Sequence, residues 1–294
     1  MIIKYEKKQF LTRVAFVLPA FIIFSALVIL PFLMGVYYSF TDWDGISVSK
    51  FIGFDNFTRL FQDSNFIKAG MNTFILCIIN ILLSNPLAIL IAMLLSKPLR
   101  FRGTLRAAFY MPNVLSYIVI SVLWTLILRY EGVLNAILDT IGLGGLKMDW
   151  IGDMSTALPS VIFITIWVST GTSIIIYLAG LNSIPGELYE SAMVDGVNSW
   201  TKFRYITFPL LMPSITICTF LGLTANLKMF DIPYIMTQGG PAYSTSTIAL
   251  VIYDYAFKGM LYGYATAAGI VFLVLILILS LFQLNITRKR EVEY

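Results

Sequence analysis

Six long apolar runs, at 14–40, 71–96, 105–128, 157–181, 210–230 and 264–286, dominate the chain and leave it few choices of fold. A helix needs about 20 mostly apolar residues to cross a bilayer, and each run is long enough. In hydrocarbon only helices and closed barrels satisfy their own backbone groups. Strict two-residue alternation is absent, which disfavours a barrel. Only 12% of the 294 residues are charged and 58% are hydrophobic, whereas a soluble domain carries about 25% charged residues. The expectation is an all-α integral membrane protein. Residues 14–286 form one six-span domain between a short N-terminus (1–13) and a short tail (287–294).

The distribution of Lys and Arg predicts the orientation. With the N-terminus in the cytoplasm, most of the 20 basic residues fall inside. They are Lys4, Lys7, Lys8 and Arg13 before the first span, Lys97, Arg100, Arg102 and Arg106 after the second, Lys202 and Arg204 after the fourth, and Arg288, Lys289 and Arg290 at the end. That bias satisfies the positive-inside rule and places both termini in the cytoplasm. The net charge of +4 reflects this flanking pattern rather than a stripe for nucleic acid. The first run is too long for a signal-peptide core and no small-residue cleavage site closes it, so it reads as an uncleaved anchor. Cys77 and Cys218 lie inside spans and suggest no disulfide framework. The chain has no His, which removes imidazole from any metal site or general-base role.

Between the spans, the aromatic segment Phe51-Ile52-Gly53-Phe54-Asp55-Asn56-Phe57 suits the headgroup level. Thr237-Gln238-Gly239-Gly240-Pro241 is a turn signal. The apolar stretch 247–257 is too short to cross and reads as an interfacial or re-entrant helix. Pro19, Pro31, Pro86 and Pro112 interrupt predicted spans; neighbouring helices can satisfy the carbonyls they free.

Residues 182–205 form a polar island between the fourth and fifth spans. Ser183 as N-cap, Pro185 near the first position and Glu187 in the first turn predict a short helix over 186–194. Gly196 would end it in the left-handed conformation. From the residues alone, both a connecting helix and a helix seated in a partner's groove are open.

This island resembles the EAA loop of permease subunits of binding-protein-dependent ABC importers. The family pattern is Glu-Ala-Ala, three residues, Gly, nine residues, Ile, any residue, Leu-Pro. Glu190, Ala192, Gly196, Ile206 and Pro209 stand at the required spacing, with Ser191 for the second residue and Phe208 for the Leu. Other segments resemble the carbohydrate branch of the family, among them Ala179-Gly180-Leu181-Asn182-Ser183-Ile184-Pro185 and Arg106-Ala107-Ala108-Phe109-Tyr110-Met111-Pro112. The resemblance implies a six-helix type I importer permease in a bacterial inner membrane. It would pair with a second, homologous permease, two ATP-binding ATPase subunits below and an extracytoplasmic solute-binding protein above. It also implies that Glu190 makes a polar contact with an ATPase, Ala192 permits close packing on it, and Gly196 makes the bend, with Ser191, Asp195, Ile206 and Pro209 completing the joint. ATP and Mg would be used by the ATPase, because the chain carries no phosphate-binding Gly-x-x-x-x-Gly-Lys-Ser/Thr loop. The chain itself is expected to bind no cofactor and to be no enzyme.

Polar residues inside spans are costly and tend to face a cavity or the bundle interior. Thr165, Ser169 and Thr172 form one helical stripe, Asn113 and Tyr117 stand four apart, and Asn226 lies near the end of the fifth run. Hydroxyls, amides and an aromatic face suit a neutral sugar, and the resemblance to the maltose system places sugar contacts at these depths. Such residues also serve as interhelical hydrogen-bonding glue, the reading given to Asn80, Ser84 and Asn85. Lys228 and Asp231 read as a snorkelling pair at the outer interface. A glycerol-phosphate permease would want extra Arg or Lys along the path. An ion-coupled secondary transporter would want mid-span carboxylates, and a membrane enzyme would want a catalytic constellation. The spans offer none of these.

Overall fold

The structure, a computed structural model, describes residues 2–98 and 100–291, with side chains from Arg13 onward. Lys4, Lys7 and Lys8, used in the charge reading, therefore have side chains outside the described residues, as do the last three positions. Every long element is a helix, and no strand occurs among the described residues. Among the described residues five helices are long and apolar enough to cross a membrane, and one bent pair makes a sixth if it counts as a single span.

The chain divides into two compact units. The first takes the chain up to Gln62 together with Ile252–Val271. Here α1 (Ile2–Phe24) and α2 (Leu30–Tyr38) are joined by a π-helical turn at Ser25–Ile29. Pro31 supplies no N–H to the carbonyl four residues back, and the wider turn absorbs that missing bond. The most apolar stretch of this span, within Arg13–Tyr38, is not buried against the chain at all.

After α2 the aromatic segment folds into a cap. Phe40 packs against Phe51, Phe54 and Phe57, with ring centroids 5.2–6.3 Å apart. Buried Asn56, on α3 (Asp55–Leu60), donates to the carbonyls of Ser39 and Thr41 at 2.9 and 2.8 Å. Trp43 stacks on Tyr38 at 4.0 Å and touches Tyr262. The Gly263 N–H donates to the Trp43 carbonyl at 2.8 Å, an approach that a side chain at 263 would block through Thr41.

The second unit holds Asp63–Val251 and the chain from Phe272 onward. Its backbone is a pair of long helices, α4 (Ser64–Ser96) and α8 (Ala157–Ser183), packed along their lengths. The Asp63 carboxylate starts α4 by accepting from the amides of Asn65 and Phe66. The other helices of this unit are α5 (Arg102–Val114), α6 (Tyr117–Leu128), α7 (Val133–Thr140), α9 (Gly186–Val194), α10 (Ser199–Lys202), α11 (Phe208–Leu210), α12 (Met212–Leu227), α13 (Asp231–Thr237) and, in part, α14 (Ile248–Tyr253) and α15 (Tyr262–Arg288). Helices α14 and α15 continue across the unit boundary. One apolar cluster gathers Leu76, Ile120, Val161, Ile164, Val168 and Ile232; another gathers Ala88, Leu95, Ile174, Tyr177, Leu211 and Cys218.

Two runs differ from the single helices expected of them. The 105–128 run is broken at Leu115 and Ser116, which are extended. Pro112 weakens the end of α5, and the Ser116 hydroxyl accepts from the Ile118 N–H to start α6. The 210–230 run is bent by 65° between the 199–210 and 212–227 segments, where Pro209 and Pro213 flank Leu211. The connections after α6 and after α13 are folded. Asn135, buried on α7, donates to the carbonyls of Tyr130 and Met148 and accepts from the Trp150 indole, all within 2.9 Å. The polar run Ser244–Thr247 is buried because Asn72 donates to the Tyr243 and Ser246 carbonyls and Thr247 to the Met229 carbonyl. Ile248–Tyr253, the helix within the short apolar stretch at 247–257, also receives a tie: Thr73 accepts from the Ile248 N–H. Lys228 and Asp231 make no ion pair with each other among the described residues.

Tyr177 is fully buried and donates to the Asn85 amide oxygen at 2.7 Å, tying α8 to α4. Tyr177→Phe leaves that oxygen without a donor, a loss of about 1–3 kcal/mol. The expected result is a lowered unfolding midpoint of the detergent-solubilised protein, with Tyr177→Leu worse.

Candidate functional site

Two places in the second unit gather the polar residues of the sequence reading. The first is a cavity of about 110 Å³ bounded by α4, α8 and α12 and by the α5–α6 break. Asn113 and Tyr117 reach it because the broken run presents both sides of the break to α8. Ser169, Thr172 and Ser173 line it from α8, and the Asn113 amide donates to the Thr172 hydroxyl. Gly171 lets α5 close on α8: a Cβ there would stand 2.7 Å from the Phe109 carbonyl oxygen.

Thr165 does not line this cavity, which corrects the expectation of a three-residue stripe. It shares a face with Thr172 but sits about 10 Å further along the axis. At that level α8 is packed into the cluster with Ile120 and Ile232, and the Thr165 hydroxyl turns back to the Val161 carbonyl at 2.8 Å. Asn226 stands behind the wall, 1% exposed, donating to Asn80 and to the Gly222 carbonyl. Two residues assigned to packing, Asn80 and Ser84, face the cavity. Their spacing of four, the same as that of Asn113 and Tyr117, was the available signal. Asn85 does serve packing, through Tyr177.

A larger cavity of about 470 Å³ lies among Trp124, Trp150 and Phe163. It is almost wholly apolar, and Ser160 on its wall already donates to the Trp150 carbonyl. It has nothing to orient a hydroxylated solute, so size alone does not make it the site.

The second place is the polar island. Its helix is α9, and its cap differs from the one expected. Helix α8 runs on to Ser183, whose hydroxyl donates to the Gly180 carbonyl, and Pro185 takes the cap position without a side-chain bond. The stop is as the sequence suggests. Gly196 has φ +67°, its N–H donates to the Met193 carbonyl, and the Val197 N–H donates to the Ala192 carbonyl. That pair of bonds is a Schellman closure. The Asn198 side chain caps α10 by accepting from the Thr201 N–H.

Ala192 is 5% exposed and turned into its own chain. Tyr189 beside it packs on the core cluster and bonds the Thr207 hydroxyl at 3.1 Å. Ala192 thus packs within its own chain, and the opposite face of the helix is the one left open. The offered face carries Glu190, Ser191 and Val194, with Val194 89% exposed, and Met193, four residues on from Tyr189, is exposed at its edge. Asp195 and Gly196 are also exposed, Ile206 is half-buried in the π turn Phe203–Thr207, and Pro209 belongs to α11 at the bend.

Residues 84–292 match the model of the family described as binding-protein-dependent transport system inner membrane component. The chain belongs to that family. Among its relatives is AmyD of Thermoanaerobacterium thermosulfurigenes, a probable starch degradation products transport system permease protein. It is 34% identical over 278 residues, covering 95% of this chain and 94% of its own. MsmF of Streptococcus mutans, a multiple sugar-binding transport system permease protein, is 35% identical over 263 residues and covers 89% and 90%. Among solved structures, a chain of a bacterial ABC transporter involved in import of the acidic polysaccharide alginate superposes with a TM-score of 0.86. Its identity is 30%, over 98% of this chain and 99% of that one. The same kind of importer has been solved in complex with an alginate pentasaccharide-bound periplasmic protein, with a TM-score of 0.84 and 30% identity over 97% and 96% of the two chains. This permease is accordingly a multi-pass α-helical membrane protein.

Proposed function

We propose that this permease moves a neutral sugar or oligosaccharide, delivered by a solute-binding protein, through the cavity between α4, α5, α8 and α12. The observation that carries the reading is the lining itself. It presents amides, hydroxyls and one tyrosine, and no charged side chain. Hydroxyls and amides match a sugar's donors and acceptors without a net field. Glycerol phosphate, or an acidic polymer such as the alginate of the solved relative, would call for Arg or Lys on the wall. An ion-coupled transporter would place a carboxylate there, and family membership also speaks against it.

Two ATPase subunits would bind ATP and Mg and take up the exposed face of α9 through Glu190, Ser191, Met193 and Val194. Closing of the ATPases would be passed through the Gly196 stop and the Pro209 bend to α12, opening the cavity to the opposite side. A second permease would complete the path, with both termini on the ATPase side as the basic flanks ask. The chain then binds no nucleotide or metal and carries out no chemistry of its own.

The test is uptake in cells with and without this permease, using a panel of maltotriose, lactose, trehalose, diacetylchitobiose and glycerol 3-phosphate. One of the neutral sugars is expected to depend on the permease; dependence of glycerol phosphate alone would overturn the neutral assignment. Within the cavity, Thr172→Ala and Tyr117→Ala are expected to lower uptake severalfold at unchanged assembly, whereas Thr165→Ala leaves it near wild type. Equal losses at 165 and 172 would move the path away from this cavity.

A further inference from the structure

We infer that Arg102 and Arg106, in the first turns of α5, hold the phosphate of an anionic phospholipid. The two stand four apart on one face of the helix, about 6 Å along its axis. Further along that face the Phe109 carbonyl lies against Gly171 and Asn113 bonds to Thr172. The arginines therefore continue the α8 side of α5 toward its start. Both residues are half-buried. The Nε atoms of both, and Nη2 of Arg106, are closed off from solvent and have no hydrogen-bond partner. Neither arginine makes an ion pair among the described residues. The chain nearby supplies no counter-charge, since no Asp or Glu occurs from 64 to 130. Partly desolvated charge left uncompensated is costly.

The missing group is an anion. The closed-off nitrogens pin the two guanidinium groups, while both terminal nitrogens of Arg102 and Nη1 of Arg106 are left open to hold it. Phosphate oxygens match the planar guanidinium fork. The start of α5 adds to the same field: Phe101 at the cap position makes no side-chain bond, and no acid stands in the first turn. The apolar surroundings select a lipid over free phosphate. Phe101, Leu105 and Phe109, beside the arginines on the helix, are exposed hydrophobics. An acyl chain running on from the phosphate would cover them, and an inorganic ion would leave them bare. Basic pockets at the ends of membrane helices suit anionic headgroups in this way. Lys97 and Arg100 are fully exposed, so they attract such lipids diffusely without forming the pocket.

The experiment counts lipid retained by the assembled importer in a neutral detergent, by native mass spectrometry. Phosphatidylglycerol, phosphatidylcholine with the same chains, and inorganic phosphate are titrated in separate arms. The wild type is expected to retain phosphatidylglycerol at the lowest concentration and to show no site for inorganic phosphate. In the double variant Arg102→Gln, Arg106→Gln the concentration for half-occupancy should rise about tenfold or more. The control Lys97→Gln, Arg100→Gln removes the same charge from exposed positions and should stay within about threefold of wild type. If the double variant does not assemble, Arg102→Lys, Arg106→Lys is read instead; it keeps the charge without the fork and should weaken retention severalfold. Equal losses in the pocket and control variants would reduce the effect to diffuse surface charge. Equal retention of the two lipids would leave the arginines to water, and binding of inorganic phosphate in place of lipid would make the site one for a free anion. Loss of a partner subunit at unchanged lipid retention would assign the arginines to that partner's carboxylate. Each of these four results overturns the proposal.

Discussion

Gly196→Val is expected to cut ATP-driven uptake about tenfold or more while the spans stay folded. At φ +67° the residue sits where an L side chain costs about 1–2 kcal/mol, and a β-branched one costs more. That cost converts to roughly a 5- to 30-fold loss of correctly ended helix. The penalty falls on the Schellman closure, so the Val197 and Gly196 amides lose the Ala192 and Met193 carbonyls and α9 frays toward Glu190. No atom lies within 4 Å of a Cβ at 196, so steric collision contributes nothing and the backbone alone decides. The series should run Gly, Asn, Ala, Val in falling activity. Uptake and ATP hydrolysis measured on one preparation check it: in the Val variant hydrolysis should continue without matching transport, or the ATPase should dissociate. A fully coupled Val variant would show that the bend is not part of the joint.

Gly171→Leu is expected to be the most damaging single change in the membrane interior. The Cβ alone would stand 2.7 Å from the Phe109 carbonyl oxygen, a backbone atom that cannot rotate away. Helix α5 must shift, which removes the Asn113–Thr172 hydrogen bond and the α5 wall of the cavity. Overpacking of this kind costs about 1–3 kcal/mol, and more when backbone must move. The unfolding midpoint in detergent and the yield of assembled complex should both fall, with Gly171→Ala intermediate. A Leu variant of wild-type stability would mean that α5 and α8 are not held at this distance.

The helical membrane class was legible from run length and charge alone, because hydrocarbon leaves the backbone so few solutions. The α9 stop was legible too, since only a left-handed position explains Gly196 after a capped polar helix. The break at Leu115 and Ser116 was less visible: Ser116 before an apolar run is a capping signal, but it stood inside a stretch apolar enough to read as one span. The cap at Ser183 was misplaced because local rules do not say how far α8 runs. Thr165 fell outside the cavity for a different reason. Helical spacing fixes angle and not which neighbour covers that depth, where α8 packs through Ile164 and Val168 with Ile120 and Ile232, remote in sequence. Asn80 was taken for glue on a sound general rule; that it faces a cavity depends on α8 and α12 arriving beside α4. The buried polar run Ser244–Thr247 follows from Asn72, some 170 residues earlier, and no local pattern announces it.

The central claim is that this permease carries a sugar under the drive of a separate ATPase. Proteoliposomes containing the complete importer would test it, with solute-binding protein and labelled maltotriose, or the panel sugar taken up fastest, on one face and ATP on the face where α9 lies. Accumulation is expected only when this chain and hydrolysable ATP are both present, and it should be lost with Gly196→Val. Accumulation driven by an ion gradient without ATP, or undiminished when this chain is omitted, would contradict it.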